Sequence, residues 1–190
     1  AGEYTIYVKG TNPNYENGAT TTAKLTIKPR PVTFTATSET KEYTGSTITI
    51  SSLTADGLVN GHTHNVEFSA SGIEVDVYDG TITAKDDVEI KSGETDVTAN
   101  YDITVVNGKL TITKTDDEFA ISLDDDEYTY DAAEHNNAKS ASSTAKTGTT
   151  SYSYSFEENG TYVTDLTSLK KVDAGEYTIY VKGTNPNYEN

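Results

Sequence analysis

Residues 1–17, AGEYTIYVKGTNPNYEN, return without a single change as residues 174–190. Within this stretch, apolar and polar side chains alternate around Tyr4, Ile6 and Val8, which is the period of a β-strand with one buried face. Internal identity over such a length marks a repeat architecture. We therefore expect that the chain is one repeating unit and the start of the next, cut from a longer tandem array.

The rest of the chain continues the β pattern. Alternation recurs in residues 23–27, 32–36 and 152–156. The dipeptides Asn107-Gly108 and Asn159-Gly160 separate stretches of this kind, and both tolerate the positive φ angles that tight hairpins require. The sequence therefore predicts an all-β protein with hairpin turns at these two positions.

Module boundaries follow from the prolines and from the repeat. Lys28-Pro29-Arg30-Pro31 keeps one junction extended, and the acidic residues 115–118 form the next. The predicted domains are an A-type β module at 31–114 and a B-type β module at 119–190 that lacks its final strand, preceded at 1–28 by the C-terminal strands of another B-type module. We predict that they are tandem small antiparallel β-sandwich (Ig-like) modules. β-Grasp-like modules are the alternative, because alternation alone does not fix the strand order.

These boundaries leave both B-type modules open. Unpaired strand edges invite pairing with another chain. Either the missing strands lie elsewhere in one continuous fibre, or the N-terminal strands of one subunit complete the C-terminal module of the next. We favour the continuous fibre, since a subunit that exchanges strands has no need of two copies of one strand.

Composition excludes several classes of function. The formal net charge is −16, which repels nucleic acid and anionic membrane surfaces. The chain has no cysteine, so disulfides, thiolate metal sites and thiol nucleophiles are absent. No apolar stretch approaches the length of about 20 residues that a membrane-spanning helix needs. We identify no catalytic or cofactor-binding residues and predict that the chain is not an enzyme.

Two short stretches contain residue types that bind metals. His62 and His64 could point to one side of a strand, but their Gly-Asn context favours an exposed loop, and no third ligand is specified nearby. Asp124 and Asp126 belong to an acidic run that lacks the glycine and the final glutamate of an EF-hand loop. We predict no metal site and no cofactor, with calcium as the alternative at the acidic run.

Residues near both ends of the predicted A-type module resemble known repeats. Lys41-Glu-Tyr43-Thr-Gly45 is similar to an opening K-x-Y-x-G element, and Asn100 to Thr113 is similar to a closing N-Y-x-I-x-x-x-x-G-x-L-x-I-T element. These elements resemble tandem MBG-type or Ig-like repeats of Gram-positive bacterial cell-surface proteins. Tyr162 stands where typical members carry a tryptophan.

The resemblance implies an extracellular, cell-surface setting and transfers no catalytic residues. We therefore expect a structural repeat segment of a long surface protein or fibre, which acts as a semi-rigid stalk or spacer. The alternatives are an adhesin module that binds a host or matrix glycan or protein, and a strand-exchanged polymer subunit. The expected partners are neighbouring modules of the same polypeptide, with no nucleic acid and no membrane insertion.

Overall fold

The computed structural model describes residues 1–189, and these residues form an all-β structure without an α-helix. No helix among them is long and apolar enough to cross a membrane. Three short 3₁₀ turns interrupt the strands at Lys85–Asp87, Thr98–Asn100 and Leu166–Ser168. The all-β prediction is therefore confirmed.

The strands of the first half are β1 (Gly2–Gly10), β2 (Ala19–Ile27), β3 (Arg30–Ala36), β4 (Glu39–Glu42), β5 (Ile48–Ile50), β6 (Leu53–Asp56), β7 (His62–His64), β8 (Phe68–Gly72) and β9 (Val77–Asp79). Those of the second half are β10 (Thr81–Ile82), β11 (Ile90–Ser92), β12 (Thr95–Asp96), β13 (Tyr101–Val106), β14 (Lys109–Thr113), β15 (Ile121–Ser122), β16 (Ser142–Ser143), β17 (Ser151–Ser155) and β18 (Tyr180–Thr184). They pair in the orders β1-β2, β10-β8-β5, β12-β11-β7, β13-β3-β6, β4-β14-β9, β15-β16 and β17-β18.

The chain divides into two compact units. The first comprises Ala1–Glu39, Thr49–Ser71 and Tyr78–Leu110, and the second comprises Thr40–Ile48, Gly72–Val77 and Thr111–Asn190. The first unit has a conventional apolar core, made of Val32, Phe34, Val66, Val88, Ile90, Tyr101 and Ile103. The second unit buries fewer apolar side chains and also buries four polar residues, Thr115, Ser155, Asn185 and Asn187. Hydrogen bonding is therefore a larger part of what holds the second unit together.

The sheets differ from the sequence prediction in two respects. Strand β13 runs parallel to β3, so the sheets are not purely antiparallel. Asn107-Gly108 does not close a hairpin, because β13 and β14 lie in different sheets. The Asn107 side chain instead donates from Nδ2 to the Gly80 carbonyl at 2.6 Å, and Gly108 does not take a positive φ. The dipeptide makes a crossing between sheets, which its local sequence does not distinguish from a hairpin.

Strands β1 and β2 form a nine-residue antiparallel hairpin. Tyr4 lies opposite Leu25 and Ile6 opposite Ala23, so the apolar side chains of both strands share one face. That face is uncovered: Tyr4 is 50% exposed and Leu25 is 49% exposed. The opposite face is polar and carries the Lys24–Glu3 ion pair, with 2.6 Å between Nζ and Oε1. Alternation thus places the apolar residues as predicted, but nothing in the described residues covers them.

The core of the first unit predicts the cost of removing one large side chain. Phe34 is fully buried, and its ring meets the His64 ring edge-on at a centroid distance of 4.8 Å. We expect Phe34→Ala to lower the free energy of unfolding by about 3–5 kcal/mol, through lost burial and the cavity that remains. The measurement is urea denaturation followed by far-UV circular dichroism. Val106→Ala, at a side chain that is 42% exposed, is the control and should cost about 0.5 kcal/mol or less. Equal losses for the two variants would contradict this assignment of the core.

Candidate functional site

His62 and His64 do not lie in an exposed loop, as the sequence suggested. They form the ends of strand β7, which pairs with β11, and both are partly buried. His62 Nδ1 is hydrogen-bonded to the Tyr101 hydroxyl at 2.7 Å, and His64 Nδ1 accepts from the Val66 N–H at 3.2 Å. The prediction of a loop was wrong because Gly-Asn residues around a short strand resemble a turn in sequence. Each ring has one nitrogen engaged within the first unit, which makes these residues part of its packing.

Asp126 is held by its own loop. Its carboxylate accepts from the Ala138 N–H at 2.8 Å and from the Tyr128 hydroxyl at 3.2 Å, and Lys139 Nζ lies 3.7 Å away. At Asp124 the contact is made by the backbone carbonyl, which accepts from Asn137 Nδ2 at 2.9 Å. Residues 1–189 contain no group of three or more His, Asp or Glu side chains arranged to hold a metal ion. The four candidate residues, His62, His64, Asp124 and Asp126, are therefore not brought together.

These contacts predict a pH dependence of stability. The hydrogen bond from Ala138 lowers the pKa of Asp126 below its ordinary value of 3.8, with smaller lowering effects from Tyr128 and Lys139 and an opposing effect of burial. A lowered pKa in the folded state means that folding favours the charged carboxylate. The stabilisation is thus fully present above pH 3.8 and is lost as the pH falls from 3.8 through the folded-state pKa.

We expect Asp126→Asn to flatten the dependence of unfolding free energy on pH below about 4, since the variant has no carboxylate to protonate there. Urea denaturation at several pH values between 7 and 2 measures this slope. Asp124→Asn is the matched control, because the described contact of Asp124 uses its carbonyl. The same flattening in both variants would show that the Ala138 contact is not the cause.

The most extensive polar arrangement in the second unit surrounds the repeated Asn-Pro-Asn-Tyr sequence at 185–188. The side chains of Asn185 and Asn187 are each 1% exposed. Asn187 Oδ1 accepts from the Val75 N–H at 2.9 Å, and its Nδ2 donates to the Glu74 carboxylate. Asn185 Nδ2 donates to the Thr147 carbonyl at 3.1 Å. We call these buried contacts of residues 185–188 the polar junction.

The polar junction joins residues of the two predicted modules inside the second compact unit. Thr115 pairs with Tyr188 in a parallel bridge, and its N–H donates to the Asn187 carbonyl at 3.1 Å. The Tyr43 hydroxyl accepts from the Thr147 N–H at 3.0 Å, and the Tyr43 ring meets the Tyr188 ring edge-on at 5.5 Å. Among the described residues, no buried side-chain nitrogen or oxygen lacks a hydrogen-bond partner. A network this complete fixes one geometry, since any displacement leaves a buried polar group without its partner.

Gly148 is needed for the close approach of this network. Its φ is +77°, a conformation that side chains disfavour, and a Cβ placed there would lie 2.7 Å from Asn187 Nδ2. The sequence around it, Lys-Thr-Gly-Thr-Thr, gives no indication of this role. Sequence reasoning likewise missed Asn185 and Asn187. The repeat gives no signal for them, because all 17 residues are identical in the two copies and the counterparts Asn12 and Asn14 are exposed.

Neither a scan against protein-family models nor searches of curated proteins and of solved structures finds a match to this chain.

The internal repeat supplies a matched test of the polar junction. Asn187→Ala removes the acceptor of the partly buried Val75 N–H, and an unsatisfied buried donor costs about 1–3 kcal/mol. Asn14 occupies the equivalent position in the first copy and is exposed, so Asn14→Ala should change stability by about 0.5 kcal/mol or less. Urea denaturation of the two variants measures the difference. The junction would lose its assigned importance if Asn187→Ala were as mild as Asn14→Ala.

Proposed function

We propose that this chain is a structural repeat segment of a long extracellular surface protein or fibre and acts as a semi-rigid stalk or spacer. Its modules are Ig-like β-sandwiches that follow one another in tandem, and its partners are the neighbouring modules of the same polypeptide. Function in this proposal is mechanical: each module sets the position of the next. No catalytic group is required of it.

The polar junction is the observation that carries this proposal. A flexible linker between modules would present exposed, mobile residues. Here the turn at 185–188 is instead buried against residues 74–75 of the other predicted module and against residue 115 of the predicted junction. The buried hydrogen bonds have directional requirements that apolar contacts lack. A junction of this kind limits the bending of one module against the next.

The charge supports the same proposal. With a net charge of −16, copies of the chain repel each other, which keeps parallel stalks apart and soluble. The strand faces that meet solvent are rich in Thr, Ser, Lys and Glu. Such surfaces suit a spacer that must not adhere along its length.

The alternative is an adhesin that binds a host or matrix glycan or protein through exposed aromatic side chains. That function would favour an aromatic surface that recurs in each copy of the repeat. Tyr7 is 82% exposed, but its counterpart Tyr180 is partly buried in strand β18. This position therefore offers no matched surface in the two copies, and the structural role is the stronger proposal.

A distance distribution tests the stalk. The chain has no cysteine, so Thr47→Cys and Glu158→Cys place one spin label in each predicted module, and both positions lie in the second compact unit. Both positions are exposed. Double electron–electron resonance should give one narrow distribution, because the junction holds the two modules in a fixed relation. Asn187→Ala in the labelled background should broaden it, and Asn14→Ala should leave it unchanged. A broad distribution in the parent protein would overturn the semi-rigid stalk.

A further inference from the structure

The two copies of the repeated sequence differ in strand pairing. In the first copy, strand β1 extends over nine residues and pairs along its whole length with β2. In the second copy, only Tyr180–Thr184 form a strand, and it pairs with β17. Residues 175–179, which correspond to 2–6, form no strand. The same amino acids thus form a long strand where β2 is present and a short one where the described residues contain no equivalent of β2.

One edge of β18 is open to a further strand. Tyr154 exchanges two hydrogen bonds of 2.8 Å with Val163, so its backbone groups face away from β18. Its pairing with Val181 is therefore of the type without hydrogen bonds, and the N–H and C=O of Val181 must face the other edge. Within residues 1–189, no third strand joins the sheet of β17 and β18 at that edge. The β18 edge can accept a strand.

A groove in the second unit includes Val181 of β18 in its lining. Its volume is about 960 Å³, and its lining combines acidic residues at 124–127, 173 and 176 with apolar residues, among them Ile121, Leu123, Phe156, Tyr177, Ile179 and Val181. Tyr177 is 41% exposed, so this lining is only partly covered. Three of these side chains, Tyr177, Ile179 and Val181, are the counterparts of Tyr4, Ile6 and Val8 on the apolar face of the hairpin. The groove therefore contains the same apolar side chains as the exposed face of β1, although residues 175–179 are not in a strand.

We propose that this groove is the acceptor for strand β2 of a second copy of this chain. The inference goes beyond the proposed structural function, because it adds contacts between separate chains to those between modules of one polypeptide. The register follows from the hairpin: β2 residue Leu25 would lie opposite Tyr177, and Ala23 opposite Ile179. Because β1 and residues 174–183 have one sequence, β2 can form with the second copy every backbone pair that it forms with β1.

The groove can cover apolar side chains of β2 that remain exposed when β2 pairs with β1. In the hairpin, Leu25 and Ile27 remain 49% and 51% exposed, because no layer packs on the apolar face. In the groove, the same side chains would lie among apolar residues of the second unit and lose contact with water. Within one molecule the hairpin has the advantage of a short connection, which acts as a high local concentration of β1. Exchange is therefore expected to increase with protein concentration.

The product of this exchange is an open-ended assembly. The donor strand lies at residues 19–27 and the acceptor groove in the second unit, so the two contact surfaces are different. A contact between two different surfaces leaves a free donor at one end and a free acceptor at the other, and adding subunits extends a line. Strand addition would thus continue the alternation of modules from one chain into the next.

The probe is a fluorescein-labelled synthetic peptide with the sequence of residues 18–28, added to the full chain and followed by fluorescence anisotropy. It should bind in a saturable manner. A peptide with Leu25→Asp should bind about tenfold or more weakly, since a buried leucine contributes enough free energy for that ratio. Thr22→Asp, on the polar face of the strand, is the control and should bind much as the parent peptide does. Failure of the parent peptide to bind, or equal weakening by both substitutions, would overturn the acceptor site.

A proline substitution at the same position in each copy of the repeated sequence tests whether the added strand comes from another molecule. Proline cannot donate a backbone hydrogen bond to a neighbouring strand. Ile179→Pro should abolish assembly in sedimentation velocity runs over a concentration series, because it disables the acceptor. Ile6→Pro, in the identical sequence of β1, should increase assembly, because it weakens the hold of β1 on β2. Far-UV circular dichroism checks that both variants remain folded.

Opposite effects of these two variants would support exchange between copies. A parent chain and an Ile6→Pro variant that both remain monomeric at every concentration would overturn it. The distance measurement across the polar junction does not depend on β2. A rigid junction with no strand exchange would therefore refute this inference and leave the stalk in place. A flexible junction with strand exchange would refute the stalk and leave this inference in place.

Discussion

The structure depends on the need of each β-strand for a neighbour. A strand's backbone N–H and C=O groups must find partners, and its apolar face must find a covering layer. The repeated sequence shows what happens when these needs are met to different extents. Beside β2 it forms a strand of nine residues, and beside β17 it forms a strand of five. Strand formation here is a property of the pair, not of the single segment, because intrinsic β preference is weak compared with pairing and burial.

The second unit compensates for its sparse apolar core with buried polar contacts. A lean composition of this kind limits how much apolar surface can be removed from water. Asn185 and Asn187 are each 1% exposed, and both find hydrogen-bond partners within the second unit. Complete satisfaction matters because each buried polar atom without a partner carries the full cost of desolvation. This is the physical link between the polar junction and the proposed mechanical role.

Sequence patterns predicted the class of structure better than its connections. Alternation correctly indicated strands around Val32-Phe34-Ala36, where burial also alternates. It could not reveal that β13 runs parallel to β3, since the period of a strand is the same in both directions. Asn107-Gly108 was misread because a sheet crossing and a hairpin use the same residues. The environment of His62 depends on Tyr101, which is distant in sequence, and no local pattern contains that information.

The Asn-Pro-Asn-Tyr turn has the same local hydrogen bond in both copies, but the burial of its tyrosine differs between them. In both copies the side chain of the first asparagine accepts from the N–H of the second, at 2.9 Å for Asn12 and 3.0 Å for Asn185. This turn is encoded locally, because the bond spans only two residues. The fate of the tyrosine that follows is different: Tyr15 is 74% exposed, whereas Tyr188 is 3% exposed. The burial of Tyr188 depends on long-range packing, because Tyr43 and Phe119 contact its ring from distant parts of the chain.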